Sequence, residues 1–254
     1  MMTKKILATL LIASCSMSAW SRIWNIIPTD VNYTVRLGYN IGGTAPLGMP
    51  ATIRKMNKFK IQPNFTLGFD VQKDFWGKWG IQSGLHVETK GMEVDATVKN
   101  YHMEMEQGGQ SLEGNFTGNV VTKVDEQMLT LPILATFKPK ENITLKLGPY
   151  VSYLSTRTFK GDAYNGYLRQ DDPTGPKMNI GMDGATPATF DFSDHMRSIQ
   201  IGIDLGIDWL IYRRWGVYGD INWGLNGIHK SSFKTIEQTL YPIYGSLGLT
   251  YKLK

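Results

Sequence analysis

Apolar and polar residues alternate with a period of two along most of the chain. In "NYTVRLGYNI", Tyr33, Val35, Leu37, Tyr39 and Ile41 alternate with Asn32, Thr34, Arg36, Gly38 and Asn40. "FKIQPNFTLGFDVQ" (Phe59 to Gln72) and "SIQIGIDLGIDWLIY" (Ser198 to Tyr212) repeat the pattern. A helix with this sequence would have no apolar side, whereas a strand has one apolar and one polar face. "MLTLPILATFKPKENITLKLGPYVSYLS" (Met128 to Ser155) reads as two such strands joined by a turn at "KPKEN". The pattern predicts eight strands, at about 31–42, 58–73, 79–95, 120–138, 142–156, 197–212, 215–227 and 240–253.

The connections alternate as well. "KDFWGKW", "KPKEN" and "YRRW" are short, while 43–57, 96–119, 157–196 and 228–239 are long and polar or Gly-rich. Short turns at one end and long loops at the other mark an all-β, eight-stranded antiparallel up-and-down transmembrane β-barrel. The alternative is a soluble, lipocalin-like barrel with its apolar face turned inward. Phe75, Trp76, Trp79, Tyr212, Trp215 and Tyr251 gather at the short-turn end, where an interfacial girdle belongs. The inward face would carry the bases Arg36, Lys60, Lys90, Lys146 and Lys252. Its acids would be Asp70, Glu88, Glu126, Asp204, Asp208 and Asp220. Eight strands leave a lumen that side chains can fill, and buried charges need partners. The expectation is therefore a lumen plugged by ion pairs. Pro132 falls on the lumen side and cannot donate to a ladder, which predicts a bulge or a locally opened ladder there.

The 254 residues suit one large all-β domain, and 19% charged residues with a mean hydropathy of −0.23 are too polar for a helical membrane protein. No later segment has the roughly 18 apolar residues a spanning helix needs. The first 21 residues read as an export signal, with Lys4 and Lys5 before the apolar run Ile6–Ser14. Residues 22–254 then form the barrel domain. Removing the signal lowers the net charge from +5 to +3, with 25 basic and 22 acidic residues, a small excess that does not call for nucleic acid. The single cysteine, Cys15, lies in the signal, where "IASC" also fits a lipoprotein processing box. His86 is a lumen position; His102, His195 and His229 fall in the long loops, with Asp191 and Asp194 near His195. No pair has metal-ligand spacing, and Asp171-Asp172 lacks a calcium-loop pattern. No catalytic residue, metal or cofactor is expected.

"LTLPILATFKP" (Leu129 to Pro139), "LKLGPYVSYLS" (Leu145 to Ser155) and "IQIGIDLGIDWLI…GVYGDINWGLNGI" (Ile199 to Ile228) resemble successive strands of the PorT-like outer membrane β-barrel proteins. Thr136 departs from that pattern, standing where a lysine is common. The resemblance implies an outer membrane location, a lipid surround and insertion by the barrel-assembly machinery. It also implies envelope or secretion-system protein partners. The resulting expectation is a non-enzymatic barrel with a structural, surface-binding or secretion/transport-accessory role. The alternative is a barrel enzyme or narrow channel acting at the extracellular rim.

Overall fold

A computed structural model describes residues 30–48, 50–170, 174–182, 184–233, 235–236 and 238–253. The expected signal at 1–21, Cys15, the Asp171-Asp172 pair and the side chain of Trp76 lie outside the description. Contacts divide the chain into Met1–Val31 and Asn32–Lys254. Only Asp30 and Val31 of the first unit are described.

The second unit holds eleven strands: β1 (Asn32–Pro46), β2 (Ile53–Ile61), β3 (Phe65–Trp76), β4 (Trp79–Gln107), β5 (Gln110–Lys140), β6 (Ile143–Arg169), β7 (Lys177–Ile180), β8 (Ala188–Asp191), β9 (Ile199–Tyr212), β10 (Trp215–Gly224) and β11 (Leu240–Lys252). Eight of them close a ring in the order β1-β3-β4-β5-β6-β9-β10-β11. All pairs are antiparallel, and β1 meets β11 from Thr34↔Lys252 to Pro46↔Leu240. Closure removes the edges that an open sheet would expose. Two-residue turns at 77–78, 141–142 and 213–214 join strands at one end. Gly77 and Arg213 have φ of 57° and 51°, as tight hairpin turns require.

The faces follow the sequence parity. Leu67, Val87, Leu131, Leu147, Leu205, Ile221 and Leu249 point outward with roughly half their surface uncovered, and the belt continues around all eight strands. Soluble monomers rarely expose an apolar patch above about 300–600 Å². A complete apolar belt is a lipid-facing surface, so the inward-facing lipocalin arrangement does not hold. Trp79 packs tilted against Phe137 and Trp215 meets Tyr251 edge-on, with ring centroids 4.7 and 4.8 Å apart, at the short-turn end.

Two features differ from the sequence reading. The stretch 58–73 is not one strand: the chain breaks at 62–64, separating β2 from β3. Pro63 lacks the N–H that a continuous strand would use there. The segments 96–119 and 157–196, expected as loops, are largely strand. β4, β5 and β6 run for 29, 31 and 27 residues, far beyond the roughly 9–11 needed to cross a bilayer. Their upper halves form an extracellular extension. β4 and β5 join through Gly108-Gly109, both at positive φ. β8 bridges β4 and β6, closing a second small ring β4-β5-β6-β8 above the first. Phe116, Val120, Val124, Phe159, Phe190 and Met196 pack into a core inside this cap.

At Pro132 the β5–β6 pairing runs to Pro132↔Tyr150 and resumes at Ala135↔Leu147 in unchanged register. β4–β5 pairing likewise steps from Ser83↔Ile133 to His86↔Thr130. The ladder opens without a bulge, and Ser83 Oγ donates to the Pro132 carbonyl at 2.7 Å.

Candidate functional site

The inward face of the ring carries a chain of ionised groups. Arg36 on β1 is 1% exposed. Its Nε donates to Asp70 Oδ2 on β3 at 2.6 Å, and its Nη1 donates to Asp220 Oδ2 on β10 at 2.6 Å. Asp208 Oδ1 lies 3.9 Å from Nη2. Lys146 Nζ on β6 sits 2.8 Å from Asp208 and 2.9 Å from Asp220. One guanidinium and one ammonium thus tie together five strands, β1, β3, β6, β9 and β10. The guanidinium lies 4.6 Å over the Tyr218 ring. His86 Nε2 bonds Asp70 Oδ1 at 2.8 Å. Each member of the cluster except Asp208, which is about a fifth exposed, is buried.

This density depends on glycine. A Cβ on Gly206 would lie 2.0 Å from Asp220 Oδ1, so only glycine lets Asp220 reach across to Lys146.

A second group lies nearer the long-loop end. Lys90 Nζ is 3.3 Å from Glu88 Oε2, with the Tyr150 and Tyr244 rings 5.7 and 5.6 Å away. Thr130 Oγ1 donates to Glu88 at 2.7 Å and is 2.7 Å from Ser152 Oγ. Asn40, Thr66 and Ser246 form a hydrogen-bonded layer beside it.

Of the eleven charges expected inside, Arg36, Asp70, Glu88, Lys90, Glu126, Lys146, Asp204 and Asp220 are buried in the barrel. Asp208 joins them at the cluster's margin. Glu126 faces Lys90 electrostatically, but neither of its oxygens has a protein hydrogen-bond partner. Asp204 is buried beside the cluster and is not one of its ion pairs. Lys252 is half-buried at the short-turn end, within electrostatic reach of Asp208 but not one of the ion pairs described. Lys60 is a correction: it lies on β2, outside the ring, exposed and 3.3 Å from Glu93. Its alternation with Phe59 and Ile61 belongs to the extension, which parity cannot distinguish from the barrel. Tyr218 and Tyr244 were not singled out from the sequence: they share the parity of Asp220 and Lys252, but their rings carry no charge to draw attention to them.

A family model described as "Outer membrane protein beta-barrel domain" matches residues 21–230. The chain belongs to this family of outer membrane β-barrel proteins. Its location is therefore the outer membrane, with the apolar belt in lipid and the two-residue turns at the periplasmic end. No curated protein matches the barrel by sequence. Among solved structures it is similar to the attachment invasion locus protein Ail of Yersinia pestis in complex with the heparin analogue sucrose octasulfate. That match has 11% identity and a TM-score of 0.41, covering 89% of this chain and 100% of that one. It is also similar to the translocator domain of the autotransporter NalP from Neisseria meningitidis, with 11% identity, a TM-score of 0.26, and 98% and 99% coverage.

On the extracellular cap of the barrel, β4, β5, β6 and β8 surround an open cleft of about 970 Å³, with Glu104, Glu106, Lys123, Lys160, Asp191 and His195 on its walls. His195 and His229 lie at the rim, as expected, but each packs on Phe233, at 4.7 and 4.9 Å between ring centroids. Asp191 bonds Ser193 rather than a histidine. Burial and the neighbouring His195 push His229 down to about 4. His102 pairs with Glu113 at 3.2 Å. Among the described residues, no group of three or more His, Cys, Asp or Glu side chains is arranged to hold a metal.

Proposed function

We propose that the protein is a closed, non-conducting barrel that presents its extracellular cap as a binding surface, and that it is not an enzyme. The carrying observation is the Arg36–Asp70–Asp220–Lys146–Asp208 network, which bonds opposite walls of the lumen through buried charges. An ion crossing this layer would have to separate these pairs, and breaking one buried pair costs about 3–5 kcal/mol. The buried apolar core of the extracellular cap supports the same reading. Such a barrel acts as an anchor, and the cleft among β4, β5, β6 and β8 is the surface it displays. The resemblance of 129–139 and 145–155 to PorT-like strands supports an accessory place in an envelope or secretion assembly. Export through the signal at 1–21 and insertion by the barrel-assembly machinery belong to the same reading.

Purified protein in planar lipid bilayers tests the closed lumen. The expected result is a flat current at 100 mV; large, steady single-channel steps would overturn it. Co-purification in a mild detergent tests the accessory role, which predicts a stoichiometric envelope protein on the cap.

A further inference from the structure

The ring has a side opening. β1 pairs with β3 as far as Tyr39↔Phe65, with one further bond from Asn40 N–H to the Asn64 carbonyl, and from Ile41 to Pro46 its single ladder partner is β11. The chain of β3 is replaced above Asn64 by β2, which pairs with β4 and stands at the end of the strand order. β1 from Ile41 to Pro46 and β2 therefore face each other without a ladder, leaving a slot in the backbone wall that the Met92 and Phe59 side chains partly fill beside Gly43. One backbone donor at this edge, Thr44 N–H, meets the Met92 thioether at 3.1 Å instead of a carbonyl.

An apolar cavity of about 160 Å³ opens behind the slot, lined by Ala45, Ile53, Met56, Met92, Val98 and Leu240 among others. A cavity of about 150 Å³ in an apolar core stays dry and holds benzene, so this one has room for roughly six carbons. Methionine walls adapt to flexible apolar guests. The slot lies where the lipid belt ends: Ile41 and Phe65 are 44% and 56% exposed at its base, and Phe59 and Ile61 on β2 carry the apolar surface upward beside it. Every residue of β2 after Ile53 is exposed, and four of them, Arg54, Lys55, Lys58 and Lys60, are basic. Lys60 pairs with Glu93. Among the described residues, Arg54, Lys55 and Lys58 have no ion-pair partner.

Apolar space opening laterally at the leaflet boundary, with unpaired cations at its lip, matches an anionic lipid. We propose that the β1–β2 slot seats part of one acyl chain of an outer-leaflet lipid, roughly the six carbons the cavity can hold, with its phosphorylated headgroup against Arg54, Lys55 and Lys58. Lysines on an exposed strand oppose pairing with another chain's edge, which argues against a protein strand as occupant. The proposal rests on the membrane placement and not on the closed lumen, so a conducting barrel would leave it intact.

The test reconstitutes the full chain in phosphatidylcholine vesicles doped with phosphatidylglycerol or phosphatidylcholine bearing a diazirine near the acyl terminus. After irradiation, adducts are mapped by peptide mass spectrometry. The expected result is labelling of Met56, Met92 or Val98, at least several-fold stronger from the phosphatidylglycerol probe. Ala96→Phe, which narrows the cavity, removes these adducts and leaves labelling of the belt on β9 and β10. Arg54→Gln with Lys55→Gln and Lys58→Gln, all at exposed positions, erases the headgroup preference and keeps the adducts. Labelling confined to the belt overturns the site, and equal labelling by both probes overturns the headgroup assignment. Cavity labelling by a soluble diazirine fatty acid without any from the leaflet probes overturns the lipid source.

Discussion

Replacing Arg36 by methionine removes its two short ion pairs, to Asp70 and Asp220, while keeping a chain of similar length. Asp70 and Asp220, 1% and 5% exposed, would then share a single nearby ammonium, Lys146, which already bonds Asp208. Removing one partner of a buried pair costs about 3–5 kcal/mol, because the remaining charge stays desolvated. A protein of this size loses roughly 2–4 °C of Tm per kcal/mol, so the expected drop is about 6–20 °C. Barrel unfolding can be followed by the gel mobility of unboiled samples heated stepwise in detergent. Asp70→Asn with Asp220→Asn in the same chain should recover part of the loss, since the stranded charges disappear with the guanidinium. Lys60→Met, at an exposed pair, should change stability by no more than about 1 kcal/mol. An Arg36→Met protein that melts with the wild type, or a triple variant showing the full sum of the separate losses, would refute the reasoning.

Gly206→Ala forces Asp220 away from Lys146; it should cost about 1–3 kcal/mol in the same assay, against little change for Gly77→Asn at the open turn. Phe116→Ala empties a fully buried cap position and should cost the cap about 3–5 kcal/mol. The readout is faster protease cleavage at 96–119 with unchanged barrel mobility on the gel. His229 titrates near 6.5 in the unfolded chain but is held to about 4 in the cap. The unfolded state therefore binds more protons between these values, and cap stability should fall as pH drops from 7 towards 4, by at most about 3 kcal/mol. His229→Leu should flatten that profile of protease resistance.

The period-two alternation settled much of this protein without any tertiary knowledge. Leu67, Leu131 and Ile207 had to face one way and Asp70, Thr130 and Asp208 the other, because a strand offers only two faces. Loop asymmetry then named the ends, and the sites of the three short turns were readable from 77–78, 141–142 and 213–214. The inward charges followed by parity, and nine of the eleven lie in or beside the lumen network. Lys60 failed because parity says nothing about where a strand leaves the ring. That departure turns on Pro63, and on β2 taking over the β4 edge from β3. The lengths of β4, β5 and β6 were hidden for a related reason. Above the membrane both faces of a strand can be polar or apolar according to what folds over them, so "YHMEMEQGG" looks like a loop until β5 folds back and pairs with it from Tyr101↔Phe116 to Gln107↔Gln110.

Sequence alone thus determined the strand type, the face each residue takes and the membrane-compatible belt, since these depend on backbone geometry and nearest neighbours along the chain. The partners were decided only in three dimensions. Arg36 meets Asp220 across 184 residues, Met92 replaces a carbonyl for Thr44, and β1 and β2 part to leave the slot. Each of these depends on which strand stands beside which, and at what height, when the ring closes.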